Sequence, residues 1–308
     1  MSHPHGDGHN HGAAPDANTR YLAIALALIV GFMIVEITVA LFSGSLALLS
    51  DAGHMLTDAA AIAGSLVAIR LAAKPSSARW TFGFKRAEIL SAAVNGITLV
   101  VISGIVGVEA IRRLITPPEV QGGPVLIVAL LGVAVNLVAV WVLAKANRTS
   151  LNVEGSFQHI LTDLYGFIAT VIAGIVILLT GFTRADSIAS LLVVVLMLHA
   201  AWGLLKDSGR ILLEGTPEGM DLAAIRKHLL EPDHVLAVHD LHAWTVTSGL
   251  PALSAHVTLA EECFHDGHAP RVLDELQACL IGHFDVEHST FQLEPETHAA
   301  HEPGTDHQ

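Results

Sequence analysis

Charge is what this sequence has least of. Charged residues make up 15% of the chain, against about 25% in an ordinary soluble domain, which argues against a soluble enzyme. Cysteine is nearly absent as well. The two present, Cys263 and Cys279, are too few for a disulfide framework. Basic residues are scarce beside acidic ones, 16 against 29, for a net charge of −13. That balance excludes nucleic acid as a partner, because phosphate binding needs a basic patch. What fills the 308 residues instead is apolar side chains, at 52%, with a mean hydropathy of +0.56. The chain also holds 19 histidines, a frequency that points to metal or proton chemistry.

The acidity is unevenly placed. Residues 1–212 hold 12 acids and 13 bases, whereas residues 213–308 hold 17 acids and 3 bases. Four segments follow. Residues 1–18, MSHPHGDGHNHGAAPDAN, are rich in histidine, glycine and proline and are expected to be disordered. Residues 19–212 contain six apolar stretches, read as Tyr21–Phe42, Leu46–Ala73, Ala87–Ile115, Val125–Ala144, Val153–Gly181 and Ser187–Leu205. Each is long enough for a helix to cross a bilayer, which takes about 20 residues. Residues 213–294 change character. Met220–Leu230 and Pro270–Phe284 read as helices, and Val235–Val246, Leu253–Leu259 and Ser289–Leu293 as strands. That αββαβ order suits a small sheet with helices on one face. Residues 295–308 read as a disordered polar tail. The fold class expected is therefore a polytopic α-helical membrane protein followed by a small ferredoxin-like α+β domain.

Lysine and arginine set the orientation. If the N-terminus lies inside, ten basic residues flank the inner ends of the spans and three the outer ends. The excess places both termini in the cytoplasm. A cytoplasmic lobe agrees with two unpaired cysteines in a reducing compartment.

Ionisable groups inside spans are expensive, and so are candidate functional groups. The second span contains HMLTD at 54–58 and the fifth HILTD at 159–163. Both spell H-x-x-x-D, and residues four apart share a helix face. At about 1.5 Å per residue, His54, Asp58, His159 and Asp163 overlap in depth near the middle of a core about 30 Å thick. Two imidazoles and two carboxylates form a four-ligand N/O set suited to tetrahedral Zn²⁺. Cd²⁺ or Co²⁺ would also be accepted, and two aspartates cancel the charge of a divalent cation. Asp51 falls about 20° from Asp58 around the helix. It either supports the ligands or accepts a proton, or it is a plain cap. His199, alone in the sixth span, reads as a packing group. Glu36, Asn95 and Asn136 either line a water path or hydrogen-bond between helices.

These residues resemble the cation diffusion facilitator family, in its zinc-transporting branch. The likeness rests on GSLALLSDAGHMLTDAAA at 44–61, FGFKRAEILSAAVNG at 83–97, EGSFQHILTDLYG at 154–166, HDLHAWTV at 239–246 and LSAHVTL at 253–259. It implies a homodimeric, proton-coupled Zn²⁺ exporter of the cell inner membrane with a metallochaperone-like cytoplasmic lobe. The family's transport site falls on His54, Asp58, His159 and Asp163. By the same resemblance, His239, His256 and Glu294 form part of a second metal site near the dimer contact. A plain hairpin centred on Gly249, however, pairs Ala243 with His256 and leaves His239 off-register. Bringing the two histidines together requires a β-bulge. Cys263, His265 and His268 read as a solvated loop or a weak cluster. Arg86 and Glu214 either tie the bundle to the lobe as an ion pair or are ordinary flank charges.

The function expected is secondary active export of Zn²⁺ by proton antiport with alternating access, since ligands release protons when they bind metal. No cofactor is expected. Zn²⁺ is cargo and a candidate regulatory ligand of the lobe, and the other partners are protons, lipid and a second copy of the chain. The alternative is a membrane metal sensor or scaffold that binds without transporting. An intramembrane metalloenzyme is disfavoured. The chain lacks an H-E-x-x-H word, and four protein ligands leave no position for an activated water.

Overall fold

The computed structural model describes residues 15–43, 46–116 and 122–299, with the backbone alone at 15–17, 40, 43, 46–51, 53–54 and 122–125. The chain divides into two compact units, Met1–Ser208 and Gly209–Gln308.

The first unit is built from long helices: α1 (Pro15–Ser43), α2 (Leu46–Ala72), α3 (Ala87–Ile115), α4 (Gly122–Leu143), α5 (Leu151–Thr180) and α6 (Ala185–Leu212). Each contains a stretch long and apolar enough to cross a membrane. Local chemistry fixes the ends of α5, the helix that carries HILTD. The Ser150 side chain accepts from the Val153 N–H at its start, and Gly181 closes it in the left-handed conformation at φ 71°, where glycine has no Cβ penalty.

Four of these helices share one core. Leu22 and Ile29 of α1, Met55 and Ile62 of α2, Leu143 of α4, and Val153 and Ile160 of α5 are all buried in it. The pairs lie seven residues apart, two helical turns, so each helix buries one stripe. Leu99 and Ile102 of α3 pack separately against Met197 and Ala201 of α6. Outside these seams the surface is apolar: Val101, Leu130, Leu179 and Trp202 are exposed. A soluble monomer rarely presents so continuous a patch, whereas hydrocarbon solvates it without cost.

Two helix ends differ from the sequence reading. The first helix begins at Pro15, so residues 15–18 are helical rather than disordered. Asn18 is buried, and its Oδ1 accepts from the Asn147 backbone N–H at 2.9 Å. That contact between chain segments far apart in sequence could not be read from a polar tail. The sixth helix runs on to Leu212, seven residues past the apolar stretch. Hydropathy marks where a helix would leave lipid, not where its hydrogen bonds stop.

The second unit contains α7 (Leu222–Leu229), β1 (Val235–Thr247), β2 (Leu250–Leu259), α8 (Cys263–Asp266), α9 (Ala269–Phe284), β3 (His288–Pro295) and α10 (Glu296–Ala299). The sheet order is β1-β2-β3, with β1 antiparallel and β3 parallel to β2. Helices α7 and α9 bury Ile225, Leu229, Leu276 and Leu280 against Leu253, Ala255 and Val257 of the sheet. Asp221 caps α7 by accepting from the Ala223 and Ala224 N–H groups. The αββαβ order is observed, with α8 and α10 as short additions. Helix α10 replaces the start of the expected disordered tail. Residues 300–308 and the histidine-rich residues 1–14 lie outside the described residues.

Two predictions follow from packing. At Gly132 of α4, a Cβ would lie 2.4 Å from the Phe167 ring of α5. Gly132→Ala therefore overpacks the seam and costs about 1–3 kcal/mol. Thermal unfolding in detergent should show the loss, and adding Phe167→Leu should recover part of it. In the second unit, the pKa of the buried Cys263 thiol is raised by burial and by Asp266 and Glu262, and that of Cys279 by burial and Glu231. The thiolate is the nucleophile. Alkylation of the native protein should thus stay slow at a pH where a free thiol reacts, and rise only above the ordinary thiol range. Quantifying labelled peptides across pH checks this.

Candidate metal centres

The packing of α2 on α5 brings three of the four predicted membrane ligands together. Asp58 and His159 are almost fully buried. His159 Nε2 donates to Asp58 Oδ1 at 2.6 Å and lies 4.0 Å from Asp163 Oδ2. One ligand atom from each of the three falls within 4.8 Å of the others. Asp58 also accepts from the Thr57 hydroxyl at 3.5 Å. Nδ1 of His159 meets no partner among the described residues. The backbone of His54 and Asp51 belongs to α2, with His54 one turn before Asp58, but their side chains lie outside the described residues. Two carboxylates and an imidazole converging in a buried pocket form a donor set for a borderline divalent cation.

Beside this cluster lies a polar knot that sequence reasoning only half anticipated. Ser65 of α2 accepts from Asn95 Nδ2 of α3 at 3.3 Å and from the Ser156 hydroxyl of α5 at 3.0 Å. Its carbonyl accepts from Asn152 Nδ2 at 2.9 Å. Asn95 thus bridges helices. Asn136 bonds instead to the Gly132 carbonyl of its own helix at 3.0 Å, and Glu36 is buried in α1. Ser65 lies seven residues beyond Asp58, and Ser156 three before His159, so the knot ties the two helices of the cluster to α3 about two turns away along α2 and one along α5. Small polar residues at helix crossings were the available signal, but their partners are spread over 91 residues of sequence.

In the second unit the expected bulge is present. Thr247 pairs with Leu250 across Ser248-Gly249, and the register then slips at three places. The slip between His239 and His242 leaves Asp240 at φ 48° and sets His239 directly opposite His256. The two rings meet edge to face, 5.2 Å apart. Glu294 of β3, buried, accepts from His239 Nε2 at 2.5 Å. Its other oxygen lies 3.9 Å from His256 Nδ1. His239, His256 and Glu294 thus form a second group within 4.8 Å.

Three neighbours were not anticipated. Asp240 Oδ2 lies 3.8 Å from His256, Gln292 donates to Glu294 at 3.2 Å, and His298 lies 3.9 Å from it. Asp240 stands inside the HDLH word, so the signal was there, but only the bulge turns it toward His256. Cys263 is buried, His265 lies 3.9 Å from Glu261, and His268 pairs with Asp266 at 2.6 Å. These three do not join in a cluster. Arg86 precedes α3 in the first unit, and Glu214 follows α6 in the second, at φ 57°.

Two family models match the chain. The cation efflux transmembrane domain matches residues 22–213, and the cytoplasmic domain of the cation efflux protein matches residues 217–296. The chain is 40% identical over 296 residues to the zinc transporter ZitB of Escherichia coli, spanning 96% of this chain and 93% of that protein. It is 38% identical over 293 residues to a cadmium, cobalt and zinc/H(+)-K(+) antiporter of Bacillus velezensis, spanning 94% and 93%. The metal cation efflux system protein CzcD of Cupriavidus metallidurans is 39% identical over 289 residues, spanning 94% and 90%. A solved structure of the metal-bound C-terminal domain of the CzcD transporter aligns at 36% identity, with a TM-score of 0.22, over 24% of this chain and 99% of that one.

The knot generates a test of its own. Ser65→Ala removes the acceptor of the Asn95 amide in an apolar seam, while the Ser156 hydroxyl keeps its bond to the Asn152 carbonyl, and should cost about 1–3 kcal/mol. Thr98→Ala loses only an exposed bond to the Val94 carbonyl of its own helix and should stay within about 0.5 kcal/mol. Equilibrium unfolding in mixed micelles compares the two.

Proposed function

Because the chain belongs to the cation efflux family, and is with its six spans a multi-pass membrane protein, we propose that it exports Zn²⁺ by proton antiport. One observation carries the reading: buried Asp58 and His159 and partly buried Asp163 converge between two membrane helices. His54, one turn from Asp58, is assigned as the fourth ligand. Asp51 supports the site from the same face. Cd²⁺ and Co²⁺ share the required ligand preferences.

The cycle follows from competition between metal and protons for the same atoms. Deprotonated ligands facing the cytoplasm take Zn²⁺. When the site faces the other side, protons displace the metal, and the protonated site returns. Binding thus exchanges charge for charge inside a medium that tolerates neither alone. An electrical potential supplies about 2.3 kcal/mol per charge per 100 mV, and a pH gradient adds to it.

The termini are assigned to the cytoplasm on the excess of basic residues at the inner flanks, and the membrane to the cell inner membrane. The membrane domain is assigned to residues 19–212 and the lobe to 213–294, the lobe pairing with that of a second copy. His239, His256 and Glu294 are proposed as a regulatory Zn²⁺ site.

The test is flux in proteoliposomes with a trapped pH indicator. Asp163→Ala should abolish Zn²⁺-driven proton movement, a loss of at least about a hundredfold (close to 3 kcal/mol, at about 1.4 kcal/mol per decade), while the protein still unfolds cooperatively. Wild-type exchange in that variant would sink the site assignment. Binding without flux in the unaltered protein would favour the sensor or scaffold.

A further inference from the structure

Outside both clusters, the second unit holds another pair of imidazoles. His228 lies in the last turn of α7 and His283 in the last turn of α9. Their ring centroids are 5.4 Å apart, inclined at 39°. Both use the same nitrogen on the backbone. His228 Nδ1 donates to the Ala224 carbonyl at 2.9 Å, and His283 Nδ1 donates to the Cys279 carbonyl at 3.2 Å. A carbonyl only accepts, so in each ring the proton sits on Nδ1 and the Nε2 lone pair is left available. A backbone carbonyl on the far nitrogen is how metal-binding histidines are usually oriented.

The surroundings favour a cation. The pair sits at the C-terminal ends of two helices, the negative ends of their dipoles. Cys279, one turn before His283, is half-buried, and Glu231 follows the end of α7, close enough to raise the pKa of that thiol. A groove beside His283 is lined by the carboxylates Glu218 and Asp285 together with Met220 and Phe284. Phe284 stands edge-on to His228, with ring centroids 5.2 Å apart, which holds that ring against rotation. Packing of α7 on α9 through Leu229 and Leu280 sets the spacing. These residues belong to neither the membrane cluster nor the His239–His256–Glu294 group.

We propose that His228 and His283 form a third metal site, binding a borderline divalent cation of the Zn²⁺ class through their two Nε2 atoms. Water completes the shell, and Cys279 and Glu231 stand beside it. With two imidazoles instead of the three-residue sets elsewhere, the site is the weaker and faster-exchanging of the three. It suits an acceptor that loads when cytoplasmic metal is high. Mg²⁺, which prefers an all-oxygen shell, is not a ligand.

The experiment uses the full-length protein in detergent and carbethoxylation of histidine by diethyl pyrocarbonate, read residue by residue by mass spectrometry, with ZnCl₂, MgCl₂ or neither. Zn²⁺ should slow modification of His228 and His283 together, and Mg²⁺ should leave both rates unchanged. In His283→Gln, protection of His228 should disappear, while the response of His239 and His256 reports the other lobe cluster separately. Equal rates with and without Zn²⁺ at His228 and His283 would overturn the proposal. So would equal protection by Mg²⁺, or protection of His228 that survives in His283→Gln.

Discussion

An ionised carboxylate has no good place in hydrocarbon. Isolated, it must be neutralised or brought to a partner. The first unit carries Asp58 on α2 and Asp163 on α5 in the middle of apolar helices, and nearly everything else in the bundle follows from keeping them in company. The stripe through Met55 and Ile62 on one helix, and Val153 and Ile160 on the other, brings the two backbones together. His159 then lies within 2.6 Å of one carboxylate and 4.0 Å of the other. The knot around Ser65 adds hydrogen bonds with direction where apolar contacts have none, and so fixes rotation as well as distance.

The bundle was legible in the sequence because its signals are local. Six apolar stretches and a repeated H-x-x-x-D word require no knowledge of distant partners. The ends of α1 and α6 were misplaced for the opposite reason. Asn18 is held by Asn147, a contact no window of sequence contains. The lobe shows the same division. Its αββαβ order could be read from periodicity, and so could the need for a bulge if His239 and His256 are to meet. What could not be read is that the turn is tighter than a hairpin centred on Gly249, or that the slip would bring Asp240 to His256. Register is a sum of small offsets, and each depends on backbone conformations such as the left-handed Asp240 that side-chain pattern does not encode.

The histidines of the chain thus serve in unlike settings. His159 is sealed among helices, where a partner must be supplied by the protein. His239 and His256 are half-exposed on a sheet, oriented by a buried carboxylate. His228 and His283 are oriented by the backbone itself at helix ends. The same imidazole ranges from a costly group that dictates the packing around it to an inexpensive one that merely uses it. The acidity of the second unit, 17 acids against 3 bases beyond residue 212, forms a common background that raises the local concentration of cations around its surface.

The bulge in β1 also constrains how this family member can vary. Along a strand, a substitution changes one side chain, but a change of length by one residue turns every later side chain to the other face. Because one extra residue between His239 and His242 is what places His239 across from His256, deleting it would rotate the whole segment before it. Val238, which packs into the lobe core, would be exchanged for a neighbour, His239 or Ala237. Away from His239 and the core positions, drift in this strand is therefore freer in letters than in length. The spacing of the HDLH word should outlast its spelling.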